Sequence, residues 1–189
     1  MNTPTHLLVS ASLFARPDAR WRNGATLLGA LVPDVAIYVL WGGARAAGYS
    51  EAAVWSVLYP GALWQTIVTI GNSAPLYATM GVVGAMLRRP LVGLFALAAL
   101  SHLALDLPFH AADAHAHFWP LTDWRFQSPL SYWNPNHHGD IVRLVEIALA
   151  LGLVAVLWRR FHSRPGRACL CAALALYVAV PVYFALTLG

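Results

Sequence analysis

The chain has 189 residues, 59% of them hydrophobic and only 11% charged, and its mean hydropathy is +0.58. This composition excludes an ordinary soluble domain and favours an all-α protein that crosses a membrane several times. The net charge of +4 comes from twelve arginines with no lysine. Because most of these arginines cluster between apolar segments, they predict membrane topology and not a nucleic-acid partner.

The first predicted element is a short helix over residues 4–15, "PTHLLVSASLFA", with Pro4 in its first turn and Arg16 after its end. At about 1.5 Å per residue such a helix cannot cross a bilayer. We therefore expect a half-helix inserted from the side of Arg16, with His6 about 15 Å above that arginine. The segment lacks a basic leader, so no cleaved signal peptide is expected.

Five later segments approach the roughly 20 apolar residues that a span requires, and they cover residues 24–41, 72–87, 90–107, 141–158 and 168–188. Residues 50–70 have the Trp and Tyr content of a membrane boundary and predict one or two short interfacial helices. Residues 108–140, rich in Pro, Trp and His, predict an ordered outer cap loop. The whole chain, 1–189, is expected to form one integral membrane helical bundle.

Nine of the arginines fall on one side when the five spans alternate in direction. They are Arg16, Arg20, Arg22, Arg88, Arg89, Arg159, Arg160, Arg164 and Arg167. By the positive-inside rule this side is the cytoplasm, so the cap faces the opposite, periplasmic or outer compartment.

Three ionisable residues, distant in sequence, are predicted to reach a similar depth in the membrane. Counting about 1.5 Å per residue places Asp34 about 18 Å above Arg22 and His102 about 20 Å above Arg89. Both values are close to the depth expected for His6. A charge near the bilayer centre is costly unless it is paired or ligated, so the three residues are candidates for one site.

The H-x-x-x-D spacing of His102 and Asp106 places an imidazole and a carboxylate on one helix face, where both could bind one metal ion. Alternatively, His102 hydrogen-bonds Asp106 or a backbone carbonyl in a packed bundle. Asp34 follows Pro33, which kinks a helix, and is a candidate ligand or general base. Its alternative role is an ion pair with Arg143 or Arg45.

The cap adds five histidines, His110, His115, His117, His137 and His138. We expect two or three of them to be functional, with His117 and His138 ranked first. Glu146 lies eight residues after His138, on the same face of a continuing helix. Imidazoles and carboxylates without neighbouring thiolates favour zinc, then manganese or iron, and leave the number of ions open.

Three stretches, "THLLVSASLF", "LLGALVPD" and "LSHLALD", resemble the YdjM-like family of inner-membrane metal-dependent hydrolases. The resemblance spans roughly residues 5–125 and implies site roles for His6, Asp34, His102 and Asp106. The family is in turn similar in motif order to the zinc phospholipase C and P1 nuclease superfamily, which cleaves phosphate esters. The H-R and H-S pairs of the YdjM-like pattern are absent here, and Asn72-Ser73 is the nearest polar pair.

Together with the spacing and depth of these residues, the resemblance implies a metal-dependent hydrolase of the bacterial inner membrane, acting on a phosphoester or lipid-like ester at the outer side. Asp34 is the candidate catalytic base. The candidate metal ligands are His6, Asp34, His102, Asp106, His110, His117 and His138. The alternatives are a transporter or metal-handling protein, whose polar path would continue to the cytoplasmic half, and a scaffold with a structural metal. Substrate and oligomeric state stay open.

Overall fold

The structure is a computed structural model that describes residues 1–188 and is built from helices, with no strand in that range. The eight α-helices are α1 (Thr3–Phe14), α2 (Arg20–Ala46), α3 (Glu51–Ala53), α4 (Ala62–Gly71), α5 (Ala74–Met86), α6 (Pro90–Asp106), α7 (Gly139–Arg160) and α8 (Arg164–Leu188). A π-helical turn over Val54–Leu58 extends α3. The predicted all-α class is confirmed.

Within residues 1–188, four helical segments are long and apolar enough to cross a membrane, namely those at Arg20–Ala46, Pro90–Phe109, Gly139–Arg160 and Arg164–Thr187. A fifth crossing is counted only if Glu51–Leu58 and Ala62–Met86, which meet at an angle of 84°, form one broken span. The span predicted over 72–87 is represented by helix α5, which has 13 residues and is too short to cross a bilayer alone. It is the second part of a segment that Asn72 and Ser73 interrupt between α4 and α5.

The long helices turn large apolar side chains outward. In α2, Leu28 and Val39 are 57% and 66% exposed, and in α7 Leu144 is 67% exposed. Exposing such an apolar surface to water is unfavourable, whereas lipid chains solvate it. The exposure pattern agrees with a bundle embedded in a membrane.

Close contact between α2 and α6 fixes the centre of the bundle. Gly29 of α2 lies so near the Phe95 carbonyl of α6 that a Cβ built on it would be 2.2 Å from that oxygen. Small residues allow two membrane helices to approach in this way. Ala98 and Ala99 of α6 are fully buried in the same region. This contact sets the relative positions of Asp34 on α2 and His102 on α6.

The short length of helix α1 agrees with the predicted half-helix, and hydrogen bonds hold it at both ends. At its N-terminus the backbone N–H of Asn2 donates to Glu146 Oε1 at 2.7 Å, and Thr5 Oγ1 donates to the same oxygen at 2.5 Å. At its C-terminus, Arg22 Nε donates to the Phe14 carbonyl at 2.6 Å and Arg160 donates to Ser12 at 2.7 Å. An acid at the N-terminus and cations at the C-terminus both complement the helix dipole and satisfy otherwise unpaired backbone groups.

The predicted cap over 108–140 is ordered by backbone hydrogen bonds to distant segments. Ala74 N–H donates to the His117 carbonyl at 2.8 Å, and Ser128 N–H donates to the His110 carbonyl at 2.9 Å. Helix α6 ends at Asp106 and continues as one 3-10 turn that contains Pro108. The cap is therefore folded against the end of α6 and the start of α5.

The α2–α6 contact predicts that Gly29→Ala destabilises the bundle, because the new methyl group meets backbone that cannot rotate away. Overpacking of this kind costs about 1–3 kcal/mol. The thermal midpoint in detergent micelles should fall. Gly42→Ala, in the same helix with nothing within 4 Å of its added Cβ, is the control and should leave the midpoint unchanged or slightly higher. Equal midpoints for the two variants would contradict this packing.

The anchoring of α1 predicts that Glu146→Ala loosens its first turns, because Asn2 and Thr5 lose their buried acceptor. Hydrogen bonds to a charged group contribute about 1.5–3 kcal/mol each. Amide hydrogen exchange in residues 3–8 should accelerate about tenfold or more. Leu144→Ala changes an exposed position of the same helix and should leave exchange in α1 unaltered. Unchanged exchange in Glu146→Ala would show that α1 is held by other contacts.

Candidate functional site

Two histidines and one aspartate from α1 and α6 form a buried group. His6 Nε2 lies 3.0 Å from Asp106 Oδ1, and His102 Nε2 lies 3.0 Å from Asp106 Oδ2. The two imidazole rings stack with centroids 3.6 Å apart. Both histidines are 0% exposed and Asp106 is 2% exposed. One nitrogen or oxygen from each residue lies within 4.8 Å of the others, so the group could hold a metal ion.

The surroundings orient His102 for ligation. Its Nδ1 lies 2.6 Å from the Ala30 carbonyl, in the turn of α2 that Pro33 loosens. A carbonyl only accepts, so Nδ1 carries the proton and, in the neutral ring, Nε2 keeps its lone pair. A backbone partner on the far nitrogen is the usual support of a metal-binding imidazole.

Several buried atoms of the group have no hydrogen-bond partner and are free to bind a cation. Both ring nitrogens of His6 and Nε2 of His102 are buried without a hydrogen-bond partner. Their 3.0 Å approaches to Asp106 are close but not aligned as hydrogen bonds. Unpaired buried polar atoms are costly, and an ion bound between them would satisfy them. The donor set of two imidazoles and a carboxylate suits a divalent metal.

Asp34 joins this group from α2. Its Oδ1 lies 3.5 Å from His102 Nε2, and its Oδ2 accepts a hydrogen bond from Thr3 Oγ1. The Asp34 side chain is 19% exposed, against 3% for Asp106. The alternative ion pairs do not form, because Arg143 lies beside Asp140 and Arg45 beside Glu51. Asp34 is therefore the more accessible carboxylate of the site.

The amino group of Met1 also contacts Asp106, with its nitrogen 2.6 Å from Oδ1. This ammonium balances the buried carboxylate in the described structure. A divalent ion bound by His6, His102 and Asp106 would take over that charge pairing.

Three cap histidines lie next to the group of His6, His102 and Asp106, and their side chains are buried like those of core residues. His110 and His115 are each 6% exposed, and His117 is 5% exposed. His110 Nδ1 lies 3.1 Å from the Asp106 carbonyl, and His117 Nδ1 lies 3.2 Å from the Asn72 carbonyl. Both rings therefore carry the proton on Nδ1 and leave Nε2 free, as His102 does.

Burial lowers the pKa of His115 to about 3 and also lowers the pKa of His117. Desolvation disfavours the charged imidazolium, and the neighbouring His110 adds to the effect at His115. Both rings are therefore neutral near pH 7, which is the form that binds metals.

Two other predicted candidates have different positions. His138 is exposed at the start of α7 and lies outside the buried histidine group, whereas His115, ranked lower from the sequence, is buried within it. Glu146 is 1% exposed but contacts α1, not His138.

Thr3, which donates to Asp34, was not predicted from the sequence. Its place in the "TPTH" segment beside His6 was the available signal.

The cap carries an exposed aromatic surface that begins at Phe118, the residue after His117. Phe118, Trp124 and Phe126 pack in a row, with ring centroids 5.9 and 6.1 Å apart. They are 39–53% exposed, and Leu121 beside them is 79% exposed. Aromatic rings in such a position are typical of a membrane–water boundary.

Comparison with known proteins adds no family assignment to this geometry. No family model, no curated protein sequence and no solved structure matches the chain.

Proposed function

We propose that this chain is a membrane-embedded, metal-dependent hydrolase that acts on a phosphoester or lipid-like ester. The observation that carries the proposal is the buried group of His6, His102 and Asp106, with the more accessible carboxylate of Asp34 beside it. A water-excluded ligand set next to an accessible base is an arrangement suited to hydrolysis. The resemblance of the "TH", "PD" and "HLALD" segments to YdjM-like hydrolases supports the same assignment.

Zinc is the ion that this donor set favours, because two imidazole nitrogens and a carboxylate oxygen are common zinc ligands. His6 and His102 would supply the nitrogens and Asp106 the oxygen. When bound, the ion supplies Lewis-acid polarisation of an ester and an activated water at neutral pH.

Asp34 is the candidate general base. One oxygen lies 3.5 Å from His102 Nε2, and Thr3 fixes the other by donating a hydrogen bond to it. Thr3 Oγ1 also lies 2.6 Å from the hydroxyl of Tyr38, which is 51% exposed. Asp34, Thr3 and Tyr38 thus form a hydrogen-bonded chain from the buried site to the protein surface. Along this chain the proton taken up by Asp34 could be transferred to the surface.

The cap favours an amphiphilic substrate. Phe118, Trp124 and Leu121 are exposed apolar residues of the cap, and Phe118 directly follows the buried His117. An acyl or other apolar chain could lie in the outer leaflet against this edge while its ester enters the site. The arginine clusters on the opposite side of the bundle support a periplasmic or outer orientation in a bacterial inner membrane.

The packing of α6 argues against transport. A transporter needs a polar path that continues to the cytoplasmic side. Below His102 the buried residues of α6 are small or apolar, and Ala99, Ala98 and Ala96 are 0% exposed. The hydroxyls of Ser10 and Ser101, 3.0 Å apart, continue the polar contacts by one helical turn. The alanines of α6 beyond them favour a one-sided enzyme site over a continuous path.

We expect substitutions of the metal ligands to remove both the bound ion and the activity, and a substitution of the base to reduce the activity alone. Purified protein loaded with zinc in micelles should hydrolyse a short-chain phospholipid or a chromogenic phosphoester. His102→Ala and Asp106→Ala should lose both the ion and the activity. Asp34→Asn should keep the ion but slow hydrolysis about 100-fold or more, as expected for a lost general base. Elemental analysis and initial rates measure the two effects.

His162→Ala is the matched control, because His162 is exposed and remote from the cap in sequence. It should retain both metal and activity. A His102→Ala variant that hydrolyses the substrate at the wild-type rate with full metal content would refute the proposal. Loss of the ion in Asp34→Asn would instead make Asp34 a ligand.

A further inference from the structure

We propose that an anionic phospholipid binds at the arginine-rich end of the bundle, in a cavity between the end of α1, the start of α2 and the α5–α6 turn. The cavity has a volume of about 580 Å³ and is lined by Arg22, Arg88 and Arg89 together with small and apolar residues. This volume lies within the range of about 300–1,000 Å³ that is typical of ligand sites. The inference goes beyond the proposed function, because it concerns a different part of the molecule.

The cavity is separate from the candidate metal ligands His6 and His102. It borders the first two turns of α6, from Pro90 to Leu97. At about 1.5 Å per residue, Pro90 is about 18 Å from His102 along that helix. Phe14, another lining residue, ends α1 and lies about 12 Å beyond His6. A headgroup bound in the cavity therefore does not contact the buried histidines.

Three guanidinium groups border the cavity without a carboxylate. Among the described residues that line it, Arg22, Arg88 and Arg89 are charged and none is acidic. Arg22 Nε donates to the Phe14 carbonyl at 2.6 Å, which fixes this guanidinium at the cavity wall. Within residues 1–188, the side chains of Arg88 and Arg89 form no hydrogen bond or ion pair. Their N–H groups are therefore available to phosphate oxygens, which arginine binds well.

The turn between α5 and α6 needs neither arginine for its own stability. The backbone N–H of Arg88 donates to the Ala85 carbonyl at 3.1 Å, and that of Arg89 donates to the Gly84 carbonyl at 2.7 Å. These two bonds close the C-terminal end of α5. Arg88 has a φ of 51°, a conformation in which glycine is favoured. Because the turn is closed by backbone bonds alone, both side chains are free to bind a ligand.

The remaining wall of the cavity suits an acyl chain. A Cβ added to Gly93 of α6 would meet no atom within 4 Å, so the cavity has open space beside this residue. Leu94 and Leu97 line the same wall, and Leu97 is 53% exposed. Lipid chains solvate such a surface, whereas water does not.

An anionic phospholipid matches both parts of the cavity. Its phosphate complements the arginines, and one of its chains complements the apolar wall. Basic pockets between membrane helices are typical sites for anionic headgroups. A zwitterionic headgroup adds an ammonium, which the arginines repel, and free phosphate leaves the apolar wall without a ligand.

Native mass spectrometry of metal-free, delipidated protein in detergent micelles tests the proposal without any hydrolysis. The probes are equal amounts of dioleoylphosphatidylglycerol and dioleoylphosphatidylcholine, which have the same acyl chains. The wild type should retain one phosphatidylglycerol per chain, in preference to phosphatidylcholine by about tenfold or more, since each nearby arginine contributes about fivefold.

The double variant Arg88→Gln/Arg89→Gln should lose most of this preference. Arg159→Gln/Arg164→Gln is the matched control, because it removes two exposed arginines outside the cavity. The control should retain phosphatidylglycerol as the wild type does. Equal losses in the two double variants would show that net charge alone attracts the lipid, and would overturn the site.

Filling the cavity tests its apolar wall. Gly93→Leu places a side chain in the open space and should reduce retention of phosphatidylglycerol at least fivefold. Gly152→Leu is the control, because Gly152 is an exposed glycine of α7 whose added Cβ also meets no atom within 4 Å. Unchanged retention in Gly93→Leu would overturn the cavity as the binding site.

Two measurements on the wild type keep the proposal testable if a variant does not fold. Equal retention of the two lipids would overturn it. Phosphatidylglycerol should also raise the thermal midpoint, because it binds the folded state, while inorganic phosphate at the same concentration should not. An equal rise with inorganic phosphate would overturn the assignment to a lipid.

Discussion

Burial of the Asp106 carboxylate is the constraint on which the rest of this structure depends. A charged group inside an apolar bundle is stable only if opposite charges, hydrogen bonds or a metal compensate it. Here His6 and His102 lie within 3.0 Å of its two oxygens. His102 shares a helix with Asp106, but His6 comes from the other end of the chain. The fold must therefore bring a separate segment into the membrane to reach this carboxylate.

Helix α1 brings His6 to this carboxylate because its N-terminal end lies inside the bundle. A buried helix terminus exposes unpaired backbone groups, which lipid cannot satisfy. Glu146 accepts the backbone N–H of Asn2 at one end, and Arg22 and Arg160 donate to carbonyls at the other. These contacts come from α2 and α7, so the half-helix also ties those spans together. The position of His6 is a consequence of this anchoring.

The sequence was sufficient to predict the helical class and a similar depth for His6, Asp34 and His102, because helix rise converts residue counts into depth, but depth alone does not predict their contacts. It was not sufficient to predict the burial of His115 beside His117. Residues 108–140 have no regular periodicity, and their path depends on long-range backbone bonds such as Ala74 to His117. For the same reason Glu146 was associated with His138, its neighbour in sequence, while the fold places it against α1. The broken segment at Asn72 likewise depends on tertiary contacts, since its side chain donates to the Pro33 carbonyl at 3.3 Å.

Anomalous scattering from zinc-loaded crystals would show whether a divalent ion binds between α1 and α6. A zinc peak is expected about 2.0–2.2 Å from a ligand atom of each of His6, His102 and Asp106. Zinc peaks confined to exposed positions such as His138, with the Met1 ammonium still on Asp106, would contradict it.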